Sequence, residues 1–74
     1  MIVNPKRLKE LREGKGHTTW SLAGASGVSQ SRVWELEQGE AEIRPTTAGR
    51  LAKALGVEIK DITVQATPAK AASS

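Results

Sequence analysis

Turn-forming residues divide this chain into helix-sized segments, and that division limits the folds it can adopt. Gly14, Gly27, Gly39 and Gly56 each follow a segment in which apolar residues recur at every third or fourth position. Such spacing gathers apolar side chains on one face of an α-helix, whereas a half-buried strand would alternate with a period of two. Because no segment alternates convincingly, the sequence predicts an all-α fold.

The first two helices are marked by residues that cap helix N-termini. Asn4 precedes Pro5, which is tolerated at the first helical position, so a helix is predicted from Pro5 to about Glu13. Thr18 can cap a second helix that ends near Ser26. The first helix should bury two leucines spaced three apart, Leu8 and Leu11.

The third predicted helix is the most polar. It should run from Gln30 to Gln38, with Ser29 as its N-cap and with Val33 and Leu36 on its buried side. Residues 29–42 carry one arginine and four glutamates, which gives 1 − 4 = −3 in a chain of net charge +3. A helix of this kind, directly behind a glycine turn, is expected to present its polar face to a partner.

The remaining sequence predicts one more helix, a final turn and a tail. After a polar loop over residues 40–45, Thr46 can cap a helix from Thr47 to Leu55. One last helical turn is expected at about residues 59–64. The small, weakly apolar residues 65–74 cannot offset the entropy of being ordered, so we expect a flexible C-terminal tail.

Composition excludes several classes of protein. A chain of 74 residues supports one small domain, which we place at residues 1–64. Without cysteine there is no disulfide or thiolate metal site, and the lone His17 makes neither a metal site nor a catalytic triad. We therefore expect no enzyme activity, metal or cofactor. Since no segment resembles a signal peptide or a membrane span, we expect a cytoplasmic protein.

The second and third helices together predict a helix-turn-helix, in which the second helix of the pair can lie in a DNA major groove. The motif needs a small residue where the helices cross, a glycine in the turn and apolar residues beneath the second helix. Ala23, Gly27, Val33 and Leu36 meet these needs in register. From these positions alone, the alternative is any small helical hairpin.

Several short runs make the pattern more specific. They are Leu22-Ala23, Gly27-Val28-Ser29, Leu36-Glu37-x-Gly39 and Leu51-Ala52-x-Ala54-Leu55-Gly56-Val57. With them, residues 8–62 resemble the lambda-repressor-like, Cro-type (Xre) helix-turn-helix family. The resemblance implies a compact five-helix bundle and a homodimer that binds double-stranded DNA. It implies a transcriptional regulator, a repressor of prokaryotic or phage type, whose third helix reads base edges.

By the same resemblance, four residues face the groove: Gln30, Ser31, Arg32 and Glu35. Glutamine can pair with adenine, arginine can donate to guanine or phosphate, and a carboxylate can accept from cytosine N4. The alternative for each residue is a solvated helix face.

Contacts with the DNA backbone are expected where helix N-termini flank the reading helix. The candidates are Thr18, Thr19, Arg44, Thr46 and Thr47. Thr19 stands where the family usually has a glutamine. We expect this shorter side chain to reach less far toward a phosphate, and to be unable to brace a glutamine of the third helix as well.

Two further features, an ion pair and the tryptophans, have structural or mixed interpretations. Arg12 and Glu37 match a salt bridge that the family uses to join its first helix to the end of the third, so we assign them to stability. Trp20 and Trp34 are the only aromatic residues. Either both half-cover the small core, or Trp34 packs on the sugar-phosphate backbone or contacts a partner.

Acidic residues favour an alternative function. Glu40 and Glu42 lie in a loop that the family brings near the DNA backbone, where carboxylates repel phosphate. The same domain could be a protein-interaction module, such as an antitoxin or adaptor with weak DNA binding. For a dimer, the surface we expect is Val57 to Val64, because its apolar residues exceed what one short turn can bury.

Overall fold

The computed structural model describes residues 1–64, and the predicted tail at residues 65–74 lies outside them. Four α-helices form the body of this part of the chain: α1 (Pro5–Gly14), α2 (Thr19–Ser26), α3 (Gln30–Gln38) and α4 (Pro45–Leu55). A 3₁₀ turn, Ile59–Asp61, follows α4. Two short strands, β1 (Ile2–Val3) and β2 (Ala41–Glu42), complete the fold.

The expected fifth helix is wrong, since the chain forms only a single 3₁₀ turn there. Asp61 Oδ2 accepts a hydrogen bond of 2.9 Å from the Glu58 N–H and closes that turn. Beyond it the backbone is paired with the start of the chain. The Asn4 N–H donates to the Ile62 carbonyl and the Val64 N–H donates to the Ile2 carbonyl. An extended partner of this kind prevents the helix from continuing.

The prediction that no strand forms is also wrong. β1 and β2 pair antiparallel, with Ile2 opposite Glu42 and Val3 opposite Ala41. Val3 forms a further antiparallel bridge to Thr63. Two-residue strands are too short to show an alternating pattern, so periodicity cannot reveal them.

Three of the expected N-caps are confirmed. The Asn4 side chain accepts from the Arg7 N–H at the start of α1, and Thr18 forms a reciprocal capping box with Ser21 at the start of α2. Ser29 caps α3, whose predicted bounds are confirmed at both ends. The expected cap of α4 is wrong: Arg44 occupies the N-cap without a side-chain hydrogen bond, and Pro45 is the first helical residue. Proline suits that position because its missing N–H would be unpaired there.

The helices enclose one apolar core, and it holds α3 by its inner side. Val33 and Leu36 of α3 are fully buried. They are joined by core residues from every other helix, Leu8, Leu22, Leu51 and Leu55, and by Val3 and Ile62 near the ends of the described chain. Leu11 is only half-buried against this core. Ile43 is buried, which corrects the expected polar loop at residues 40–45.

A tight turn fixes the angle between α2 and α3. Gly27 lies in the left-handed region, with φ 79°, where glycine meets no steric penalty. Next to it, the buried Ser26 hydroxyl donates to the Leu22 carbonyl at 2.7 Å and accepts from the Val28 N–H at 3.2 Å. These bonds satisfy the polar groups of the turn and bring the N-termini of α2 and α3 close together.

Candidate nucleic-acid interface

The outer face of α3 is the polar surface that the sequence predicts. Val33 and Leu36 face inward, and helical spacing places the exposed residues on the opposite side. These exposed residues are Ser31, Trp34, Glu35 and Gln38. Gln38 is not among the residues predicted from the sequence, although its position four residues after Trp34 places it on the same face.

Three of the four predicted base-reading residues lie around one recess, which we call the α3 recess. Its volume is about 450 Å³ and it is lined by Gln30, Ser31, Trp34 and Glu35. The lining offers an amide, a hydroxyl, an indole and a carboxylate. Among the described residues it includes no cationic side chain, so its formal charge is negative.

Gln30 is braced by α2. Its Nε2 donates to Thr19 Oγ1 at 3.0 Å, so the expectation that Thr19 could not brace a glutamine of α3 is wrong. The reason is the tight turn at Gly27, which brings the two helix starts within reach of a threonine side chain. The bond occupies one amide hydrogen of Gln30, and the amide oxygen can accept a hydrogen bond from another partner.

Arg32 is the predicted base reader that does not line the α3 recess. Its Nη2 lies 3.3 Å from the Glu42 carbonyl oxygen, and its Nη1 lies 3.3 Å from Glu35 Oε1. The guanidinium therefore leans toward β2 and borders a second recess, which we call the loop recess. This recess has a volume of about 710 Å³ and is lined by Met1, Arg32, Glu42, Ile43, Arg44, Pro45 and Thr47.

The loop recess lies at an uncapped helix N-terminus. No side chain caps the first turn of α4, which begins at Pro45 after Arg44. Thr46 is exposed in that turn and Thr47 is half-buried. Free N–H groups at a helix start, together with the helix dipole, favour a bound anion. Arg32 and Arg44 add positive charge to this recess. The Glu42 carboxylate, 3.7 Å from the Met1 amino group, adds a negative charge that opposes anion binding.

At the start of α2 the two predicted threonines have internal contacts. Thr18 Oγ1 accepts from the Ser21 N–H at 3.0 Å, and the Thr18 N–H donates to Ser21 Oγ at 2.8 Å. Thr19 accepts the bond from Gln30. Each threonine hydroxyl still carries its own proton, which is the group that a phosphate oxygen would accept.

Arg12 of α1 and Glu37 near the end of α3 meet as a buried ion pair that joins the two helices. Arg12 Nε lies 2.6 Å from Glu37 Oε2, and Arg12 Nη2 lies 3.0 Å from Oε1. The two side chains are 11% and 5% exposed. A third guanidinium nitrogen, Nη1, donates to the His17 carbonyl at 2.7 Å. The hydrogen bond to Glu37 raises the pKa of Arg12 above its ordinary value, although burial acts in the opposite direction.

The tryptophans differ in their surroundings, and neither is buried. Trp20 is 72% exposed and Trp34 is 53% exposed. Trp20 lies on α2 beside other exposed positions, Ser21, Gly24 and Ala25. Trp34 lies near the middle of the exposed face of α3 and forms one wall of the α3 recess. The interpretation of both rings as half-buried core covers therefore does not describe them.

Two further properties concern residues 1–64 only. No helix in this range is long and apolar enough to cross a membrane. In the same range, no three His, Cys, Asp or Glu side chains are grouped so that they could hold a metal ion.

This mostly helical arrangement, with α2 and α3 joined at a glycine turn, defines a helix-turn-helix protein. The family model for the helix-turn-helix domain matches residues 6–62, and the chain belongs to that family. The resemblance to Cro-type regulators is confirmed. Family and structural likenesses together support a DNA-binding transcription regulator. A search of curated proteins found no match.

Solved structures with the same fold include regulators. The restriction-modification controller protein C.AhdI from Aeromonas hydrophila is 35% identical, with a TM-score of 0.72, over 77% of this chain and 86% of that one. The clp gene regulator ClgR from Corynebacterium glutamicum is also 35% identical, with a TM-score of 0.70, over 77% of this chain and 61% of that one. Streptomyces albus HEPD, solved with 2-hydroxyethylphosphonate and Fe(II), is 28% identical with a TM-score of 0.76, but the match covers only 14% of its chain.

Proposed function

We propose that this protein is a transcriptional repressor that binds operator DNA as a homodimer, with α3 in the major groove, and that it acts by occupancy and not as an enzyme. The observation that carries the proposal is the polar outer face of α3. Val33 and Leu36 anchor the inner side of α3 in the core, and the buried Arg12–Glu37 pair joins the end of the helix to α1. A helix held in this way can enter a groove without losing its own support.

The base-reading role is assigned to Gln30, Ser31 and Glu35. Gln30 is already oriented by Thr19, which lowers the entropy lost on binding. Its amide can pair with adenine, and Glu35 can accept from an exocyclic amino group. The Ser31 hydroxyl can donate a hydrogen bond to a base acceptor or accept one from a base donor.

The backbone role is assigned to the two helix starts that flank α3. At α4 the candidates are Arg44, Thr46 and Thr47, around N–H groups that no side chain caps. At α2 they are Thr18 and Thr19, through their hydroxyl protons. Arg32 borders the loop recess, and we therefore place it with the phosphate contacts and not with the base contacts.

A dimer is needed to place two copies of α3 about 34 Å apart, one helical turn of DNA. We retain the segment Val57 to Val64 as the candidate contact. Ile62 is fully buried within the domain, so the apolar surface that remains there comes from half-buried Val57 and Ile59 and from Val64, which is 37% exposed. This is a small contact, and we expect dimerisation to be weak without DNA.

One observation favours a second function. Glu35, Glu40 and Glu42 are all exposed on the same stretch of chain as Trp34. An exposed tryptophan among carboxylates suits a basic protein surface. In that case the domain would be an antitoxin or adaptor with weak DNA binding.

Selection of binding sites from random duplex DNA tests the leading proposal. We expect an enriched palindrome whose half-sites are about one helical turn apart. Ser31→Asp should abolish the enrichment, because it adds a carboxylate at the proposed groove face. Ala25→Asp is the matched control, since it adds the same charge at an exposed position of α2. No enrichment with wild-type protein, combined with tight binding to a basic protein, would favour the second function.

A further inference from the structure

The composition of the α3 recess argues against a phosphate as its occupant. Within the described residues, its lining includes the Glu35 carboxylate and no arginine or lysine. Arg32, which belongs to the same helix, leans to the other side and contacts the Glu42 carbonyl. Although Arg32 Nη1 pairs with Glu35 at 3.3 Å, its guanidinium does not line the recess, so a phosphate there would meet a carboxylate and no cationic wall. Trp34 is therefore poorly placed to pack on the sugar-phosphate backbone, which is one of the roles that the sequence predicted for it.

The same lining suits a base edge that carries both an apolar and a donor group. Trp34 supplies the apolar wall, and half of its surface is exposed. Glu35 lies next to it in the chain and can only accept hydrogen bonds when ionised. In the major groove, the apolar group available is the C5-methyl of a pyrimidine, and the donors are adenine N6 and cytosine N4. Guanine offers only acceptors there, which Glu35 would repel.

We propose that the α3 recess reads a C5-methylated pyrimidine, with the methyl group against the Trp34 indole and a neighbouring exocyclic amino group on Glu35. The inference rests on the proposed entry of α3 into the major groove and adds to it the chemistry of the base recognised. Two sources supply this chemistry. One is thymine beside adenine or cytosine, and the other is 5-methylcytosine, which carries the methyl and the amino group on one ring.

The geometry around Gln30 supports the same position. Gln30 lies one turn before Trp34 on α3, and both residues line the recess. Because the Gln30 amide is held by Thr19 at 3.0 Å, it forms a fixed side of the recess. A base pair next to the methylated pyrimidine would meet that amide, and adenine is the base that glutamine pairs with best. The expected preference is therefore a methylated pyrimidine adjacent to an adenine.

The test uses the full chain and the duplex recovered from random selection. That duplex is resynthesised with uracil in place of thymine, one position at a time, so that only the methyl group is removed. We expect affinity to fall about fourfold at one thymine per half-site, as for the loss of one buried methyl contact. A second set replaces each cytosine by 5-methylcytosine. A gain at a cytosine facing the recess, with no effect of uracil, would identify 5-methylcytosine as the source.

Two tryptophan variants make the test specific. In Trp34→Ala the affinities for thymine-containing and uracil-containing duplexes should become equal, with the melting temperature close to wild type because the ring is exposed. Trp20→Ala removes the other exposed indole, on α2, and should keep the full methyl dependence. Site-selective binding that is indifferent to every methyl group would overturn the inference and leave the proposed function intact. Absence of selective binding on any duplex would overturn the proposed function itself.

Discussion

The α3 recess and the loop recess share one helix and have opposite chemistry. The first is lined by Gln30, Ser31, Trp34 and Glu35 and carries only a negative charge. The second includes two arginines, Arg32 and Arg44, at the start of α4. DNA presents phosphates along its edges and base edges between them. In this domain the recess that could contact base edges has no cationic lining, and the recess that could attract phosphates has two arginines.

Local bonds create this separation. Arg32 and Glu35 are one turn apart on α3, and their 3.3 Å contact would by itself give both recesses mixed charge. The additional bond from Arg32 to the Glu42 carbonyl draws the guanidinium toward β2. Position along a helix therefore does not decide which recess a long side chain joins. The partner at the far end of the side chain decides it.

The largest expected effect is the loss of the support that both recesses share. Glu37→Gln removes the counter-charge of Arg12, which is 11% exposed. An uncompensated buried charge should lower the free energy of unfolding by about 3–5 kcal/mol. Urea denaturation measures this free energy of unfolding. Glu13→Gln is the matched control, because Glu13 lies 3.8 Å from the same guanidinium but is 57% exposed, and its loss should change stability by less than about 1 kcal/mol. Equal stabilities for the two variants would refute the structural role of Glu37.

The next effect separates the two recesses by specificity. Gln30→Ala should weaken binding to the selected operator by about 1–3 kcal/mol and leave binding to unrelated duplexes unchanged. Thr19→Val keeps the glutamine but removes the oxygen that orients it. We expect a smaller specific loss on the operator, together with a weak loss on every duplex because the Thr19 hydroxyl is also a proposed phosphate contact. Titrations on both DNA types provide the measurement. A uniform loss on all duplexes would place Gln30 among the phosphate contacts.

A smaller effect concerns the loop recess. Arg44→Ala should weaken binding to every duplex by a similar factor, and the slope of log K against log salt should become shallower by about 0.9. The control is Lys53→Ala, which removes one charge from the last turn of the same helix and should leave the slope unchanged. Because Glu42 opposes the arginines, the wild-type slope itself should correspond to few phosphates per subunit. A steep slope would contradict this picture of the loop recess.

The smallest effect is expected outside both recesses. Gly24 is helical and exposed, and an added Cβ there meets nothing within 4 Å. Gly24→Ala should therefore raise the free energy of unfolding by up to about 1 kcal/mol without changing DNA affinity. Gly27→Ala should instead lower the free energy of unfolding, because the φ of 79° at this position disfavours a side chain. Thermal melts of the two variants and a DNA titration give the comparison. A loss of affinity in Gly24→Ala would extend the interface from the start of α2 to its later turns.

Local sequence signals predict the helices well and the contacts between distant segments poorly. Ser29, Gly39 and the spacing of Val33 and Leu36 are enough to locate α3 at both ends, because each signal acts within one or two turns. The strands depend instead on Val3 lying between Ala41 and Thr63. No property of two-residue segments encodes that pairing, so the all-α prediction missed it. Ile43 was placed in a polar loop for the same reason.

For the site, residue types were easier to predict than their grouping. The polar residues of α3 follow from its sequence, and the Arg12–Glu37 contact is present in the structure. The division of α3 side chains between two recesses depends on the direction of Arg32, which is set by a backbone carbonyl ten residues away. The Thr19–Gln30 bond depends on the angle of the Gly27 turn. The prediction that Thr19 could not brace a glutamine of α3 was wrong because it considered side-chain length and not the angle between the helices.

The position of β1 has a consequence for the order in which parts of the domain fold and unfold. Residues 1–4 exchange backbone hydrogen bonds with both Ile43 and the segment 62–64, so segments from the start, middle and end of the described chain meet along one short ribbon. Contacts so far apart in sequence close loops slowly, and we expect this ribbon to form after the helices and to break first. In hydrogen exchange, the amides of Asn4, Ile43 and Val64 should then lose protection together, ahead of those in α3.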